Sequence, residues 1–223
     1  MKEKAGFYLG LALLAFLFLG VEIIVLLVGS KLYGTMNLFG FESIIPILAH
    51  WGTTCALWIL GIWLLYSLSK KRGFNVFESK SKPPVINWII VIALLICSVI
   101  ASYISWDMRF KPAVEFGGMT ASFGSEAILV FVGQYSYYIV ESALFLAIIV
   151  FGQKFGELVF RKNNVPWGGL FCGLTWGLAH ILTQSLTTGI YCVVISIAFG
   201  AVYLLLKRNV KFAYPVITLM FML

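Results

Sequence analysis

Apolar residues come in long blocks, such as Leu11 to Leu19 and Val91 to Ile100, separated by short clusters of charge. Within the blocks polar and apolar positions do not alternate, so the two-residue period of a barrel strand is missing and helices are predicted. Blocks of about 20 residues fit a helix that crosses a hydrocarbon core about 30 Å thick. Backbone groups in lipid must be satisfied within the segment, which a helix achieves. The predicted spans are 5–29, 43–69, 85–106, 126–152, 167–183, 187–206 and 212–223. The expected fold class is therefore all-α: a single-domain, polytopic membrane protein over 1–223 with about seven transmembrane helices.

Two segments are irregular. Glu126 to Arg161 contains no proline and would be about 54 Å long as one helix. A bend at Gly152 or Gly156 is expected, with the following residues leaving the core for the cytoplasmic surface. The last block has the opposite problem, since twelve residues follow Lys211, about 18 Å of helix.

Composition narrows the class. Of 223 residues, 61% are hydrophobic and 11% charged, against about 25% charged in a soluble domain. Ala5 to Gly29 is too long for the core of a cleavable signal and is read as the first span. Cys55, Cys97, Cys172 and Cys192 fall inside apolar blocks without ligand spacing, so they read as packing residues, and no metal or cofactor is expected.

Charge sets the topology. With the N-terminus inside, thirteen basic residues are cytoplasmic: Lys2, Lys4, Lys70, Lys71, Arg72, Lys80, Lys82, Lys154, Arg161, Lys162, Lys207, Arg208 and Lys211. Three, Lys31, Arg109 and Lys111, fall outside. Lys and Arg favour the cytoplasmic side, so a multi-pass protein of the cell membrane with a cytoplasmic N-terminus is expected. The net charge of +7 then needs no nucleic-acid partner. Membrane lipids are partners by default. The loop 70–84 reads as a topology determinant, with a sharper alternative in which Phe74 and Phe77 dip among anionic headgroups.

Ionisable residues within hydrocarbon are costly and by default mark function. Four stand out: Glu22, His50, Glu141 and His180. Glu141 lies thirteen residues before Lys154, and His180 thirteen after Trp167, so each sits about 20 Å from the cytoplasmic end of its helix. Gln134, Tyr138, Glu141 and Phe145 recur at helical spacing on the fourth span. On the fifth, Gly169, Gly173 and Gly177 form a small-residue ladder for close helix packing, bordered by Trp176, His180 and Gln184. A glutamate facing a histidine in a dry site can take a proton from water as a general base, with the histidine orienting that water. A buried pair that only fixes helix register is the structural alternative. Glu22 and His50 read as structural, paired with each other or snorkelling outward.

These residues resemble a known family. Tyr137 to Ala147, with Trp167 to Leu182, is similar to the core of the CPBP family: the CAAX proteases and bacteriocin-processing (Abi) membrane proteins. That family carries Glu-Glu-x-x-x-Arg on one helix, Phe-x-x-x-His some 35 to 40 residues later, and His-x-x-x-Asn/Asp on a later helix. Here Glu141 stands in the first motif and His180 in the second, 39 residues apart, with Trp176 in place of the Phe. Phe199 to Tyr203 and the short last helix resemble the family's C-terminal end. The resemblance implies a CAAX-protease-like helical bundle, with a CPBP-like core over 120–223 and variable spans over 1–119.

The departures bear on function. Ser142 and Leu146 replace the second glutamate and the arginine, and Phe212 to Leu223 contains no His, Asn or Asp. Tyr214 and Thr218 are the hydrogen-bonding side chains of that helix that could substitute. With four of the six motif polar residues missing, the resemblance implies a pseudoprotease, a scaffold that binds a peptide or membrane protein in a former protease cavity. Gln134, Tyr138, Trp176 and Gln184 would line that cavity. Bacteriocin processing or immunity would be the setting. The alternative is an active intramembrane endopeptidase using Glu141 and His180 on a prenylated or bacteriocin-like peptide. A small transporter or channel subunit is a third class, although the chain shows no inverted repeat and no Pro-interrupted helix pair.

Overall fold

A computed structural model describes residues 2–33, 44–78 and 81–223, which fold into helices joined by short turns. Lys80 and the predicted start of the second span at 43 fall outside the described residues. The helices are α1 (Lys2–Tyr33), α2 (Ile44–Lys71), α3 (Val85–Ser105), α4 (Lys111–Phe123), α5 (Ala127–Phe160), α6 (Trp167–Cys172), α7 (Leu178–Thr183), α8 (Leu186–Leu205) and α9 (Val210–Met222). A 3₁₀ turn at Gly124–Glu126 joins α4 to α5, and a π-helical turn at Gly173–Gly177 joins α6 to α7.

Five segments are long and apolar enough to cross a membrane: α1, α2, α3, the joined α4–α5 unit and α8. The α6–π–α7 rod has 17 residues and α9 has 13, both below that length. The rod stays helical through its π turn, because Cys172, Gly173, Gly177 and Leu178 all keep right-handed helical backbone angles.

α5 is the hub. It packs against α1, α2, α4, α6, α8 and α9, whereas α3 lies at the edge on α8 and α9. The centre of α5 is buried around most of its circumference, with Leu144, Phe145, Leu146, Ile148, Ile149, Val150 and Phe151 all in the core. A helix apolar all the way round is what such a central position requires.

The structure corrects the expected break in α5. The helix continues unbroken to Phe160, with Gly152, Gln153 and Gly156 buried rather than at a surface. These glycines are contact points. A Cβ on Gly156 would collide with the Trp167 side chain, and one on Gly168 would collide with the Ile149 carbonyl oxygen. α5 and α6 thus lie backbone to backbone, an approach that a side chain would prevent.

The helix ends separate by charge. At one end Arg208 pairs with Glu157, and the Lys154 ammonium lies 5.9 Å from the Phe74 ring. Lys70 and Lys71 close α2 at this same end. Phe74 turns inward, with its ring 5.3 Å from Tyr8 and 6.3 Å from Phe151, rather than outward toward headgroups.

Candidate functional site

The four ionisable residues that stand inside apolar sequence come from four different elements. Glu22 is on α1, His50 on α2, Glu141 on α5 and His180 on α7. Glu22 Oε1 lies 3.8 Å from His50 Nε2, so the two form a pair across α1 and α2. His50 is buried, while the Glu22 side chain is 41% exposed. Glu22 also lies within electrostatic range of Glu141, His180 and the Tyr137 hydroxyl. The pair therefore belongs to the same neighbourhood as the α5 and α7 residues.

Trp176, in the π turn, joins the other two. Its indole Nε1 donates to Glu141 Oε1 at 3.4 Å. Its carbonyl oxygen lies 2.8 Å from His180 Nδ1, and its ring meets the imidazole edge-on at 4.6 Å. Glu141 and His180 thus share Trp176, which sits between them. The π turn adds a residue to the helical repeat here, and such bulges re-aim side chains at functional sites.

Rings cluster around Trp176, the partner of the half-buried Glu141. Phe145 stacks on Phe199 at 5.4 Å and lies 5.3 Å from Trp176. Phe221 of α9 lies 5.1 Å from Phe145, 5.9 Å from Trp176 and 5.2 Å from Tyr138. Two further side chains of α9 are also committed to α5. The Tyr214 hydroxyl donates to the Ile139 carbonyl at 2.7 Å, and Thr218 Oγ1 shares a hydrogen bond with Ser142 Oγ at 2.8 Å. A neutral hydroxyl pair thus occupies this point of the α5–α9 seam.

Gln134 and Tyr138 belong to a second polar group one to two turns away. Gln134 Nε2 donates to the Tyr138 hydroxyl at 2.5 Å. The hydroxyls of Tyr138 and Tyr135 donate to Glu115 of α4 at 3.0 and 2.8 Å. Lys111 completes this group. Its ammonium donates to the Phe221 carbonyl at 2.8 Å and lies 4.9 Å from the Tyr138 ring and 5.2 Å from the Phe221 ring. Lys111 is also the cation that acts on Glu141. Sequence reasoning placed Lys111 in an outer loop and missed it. The available signal was Lys111-Pro112 followed by Glu115, a helix start with opposite charges at i and i+4.

Gln184, expected on a cavity wall, is exposed in the turn after α7, where its backbone N–H caps the helix on the His180 carbonyl. The glycine ladder lies against α8: Gly169 faces Ser196 and Gly200, while Gly173 and Gly177 face Val193. Among the described residues no three His, Cys, Asp or Glu side chains gather to hold a metal, and all four cysteines are free thiols. No family model, curated protein or solved structure matches this chain.

Proposed function

We propose that this chain is a seven-crossing protein of the cell membrane with a cytoplasmic N-terminus and a CPBP-like core. It acts without proteolysis, as a membrane partner or scaffold for a peptide or another membrane protein. The observation that carries this reading is that the side chains able to support a reaction at Glu141 are already bonded within the protein. A hydrolytic base needs a water within about 3 Å and room beside it for a substrate carbonyl. Trp176 holds Glu141 through its indole N–H, and the Phe145 and Phe221 rings pack on Trp176. The Tyr214 and Thr218 hydroxyls, which could support a tetrahedral intermediate, are engaged with Ile139 and Ser142.

The test is direct. The purified chain in proteoliposomes is challenged with a farnesylated CAAX peptide and with a leader-bearing bacteriocin-type peptide. Neither wild type nor Glu141→Ala cleaves either peptide. In parallel, Glu141→Gln photo-crosslinks the same membrane-protein partners as wild type in the native membrane. Cleavage by wild type that Glu141→Ala abolishes would sink the scaffold reading.

That outcome would support the second reading, a glutamate-dependent intramembrane endopeptidase. Its favouring observation is that Glu141 and His180 are both held by Trp176. A general base and its supporting histidine would then be joined by one indole.

A further inference from the structure

A pocket of about 230 Å³ opens between α2, α5 and α9 at the lysine-rich end of the bundle. Glu141, His180 and Trp176 take no part in its wall, although Tyr214, described above on the α5–α9 seam, also lines it. The lining is almost wholly apolar, with Leu65 from α2, Leu146 and Val150 from α5, and Val210 from α9. Tyr66 and Phe77 also line it, their rings 5.3 Å apart. Phe77 is half-exposed. The Lys70 ammonium lies 5.7 Å from the Tyr66 ring, on an exposed side chain, so a cation stands at the rim of an apolar slot.

The chain that borders that rim is rich in basic residues, although the Arg72 guanidinium itself lies 5.5 Å from the Phe7 ring. Residues 70–78 carry Lys70, Lys71 and Arg72 against the single carboxylate of Glu78, and exposed Lys211 follows the wall residue Val210. In a bilayer an acyl chain gains little by moving from its neighbours into an apolar groove, because lipid tails are as apolar as leucine. Selectivity must then come from the headgroup. Clustered cations beside a membrane-embedded helix attract anionic headgroups.

We propose that this groove holds one acyl chain of an anionic glycerophospholipid, its phosphate paired with Lys70 and the neighbouring cations. The slot fixes the chain, Tyr66 and Phe77 cover its upper methylenes, and the ammonium groups select the headgroup charge. The assignment is independent of whether Glu141 is catalytic.

Native mass spectrometry of the full chain tests it, with the protein released from mixed micelles containing equimolar phosphatidylglycerol and phosphatidylcholine. One phosphatidylglycerol stays bound to wild type, preferred about fivefold or more over phosphatidylcholine. The double change Lys70→Gln with Lys211→Gln brings the ratio close to one. A charge-matched control at the same end, Lys82→Gln with Lys207→Gln, leaves the preference intact. Ala147→Trp, which fills the groove from its α5 wall, removes retention of both lipids. Equal retention of the two lipids by wild type overturns the proposal. So does an unchanged ratio in the Lys70/Lys211 variant, or an equal loss in the control, which would reveal diffuse charge instead of a groove. The lysine variants change exposed side chains only, so they decide the matter even if Ala147→Trp fails to fold.

Discussion

Gln153 shows how much one buried amide can hold together. It is 1% exposed, and its Nε2 donates to Glu157 at 2.8 Å and to the Val165 carbonyl at 3.0 Å. Its Oε1 accepts from the Gly168 backbone at 3.0 Å. One side chain thus satisfies the loop 161–166 and the first turn of α6, whose early N–H groups have no partner in their own helix. Replacing it with leucine leaves the Gly168 N–H and the Val165 carbonyl without that partner, and we expect a loss of about 1–3 kcal/mol in stability. Reversible unfolding in mixed detergent micelles measures this; a loss below ~0.5 kcal/mol would show that water fills the role. The sequence did not flag Gln153, because an uncharged amide beside Lys154 looks like the border of a span. Glu141 and His180 were legible because a charged type inside apolar sequence is conspicuous. Their common partner Trp176 was legible only as a face neighbour, since its indole could have pointed either way.

Among the elements, the turn from α8 to α9 depends on one ion pair. Arg208 Nη2 lies 2.7 Å from Glu157 Oε1, its Nε donates to the same oxygen at 2.8 Å, and Nη2 also donates to the Asn163 carbonyl at 2.7 Å. The pair ties the end of α5 to the start of α9. The Glu157 side chain is 13% exposed, so removing the guanidinium leaves a mostly buried carboxylate. Arg208→Ala should cost about 1–3 kcal/mol, and Arg208→Lys should recover only part, because an ammonium cannot serve both acceptors in the same fork. Thermal unfolding in detergent ranks the three proteins, and equal midpoints for alanine and wild type would refute the clamp. α4 was not legible as a helix, because two adjacent glycines, Gly117 and Gly118, interrupt its middle. Nor was the π turn, since an inserted residue changes the helical phase without changing residue type. The smooth course of α5 past Gly152 and Gly156 was misjudged for a related reason. A glycine that allows a bend and a glycine that allows a helix to approach closely look identical in sequence.

For the whole molecule, charge predicts the topology. Introduced cysteines at positions 82 and 161 should react with a membrane-impermeant maleimide only after the cytoplasmic side is opened. One at position 109 should react in intact cells. The reverse pattern would invert the protein. The native thiols lie in apolar segments, so replacing them first with alanine keeps the background clean. Sequence by itself determined that the chain is helical and built for a bilayer, and that its cations collect at one end. Those properties depend on local composition, and lipid leaves the backbone no alternative to internal hydrogen bonding. Only the tertiary structure decided that Glu22 and His50 join the neighbourhood of Glu141 and His180, that Lys111 reaches the carbonyl of Phe221 110 residues away, and that Phe221 packs on Phe145 and Trp176. The physical reason lies in helices that are apolar on every face. Such a helix carries no stripe to fix its rotation, so which residues meet is set by glycine seams and ring packing between helices far apart in the chain.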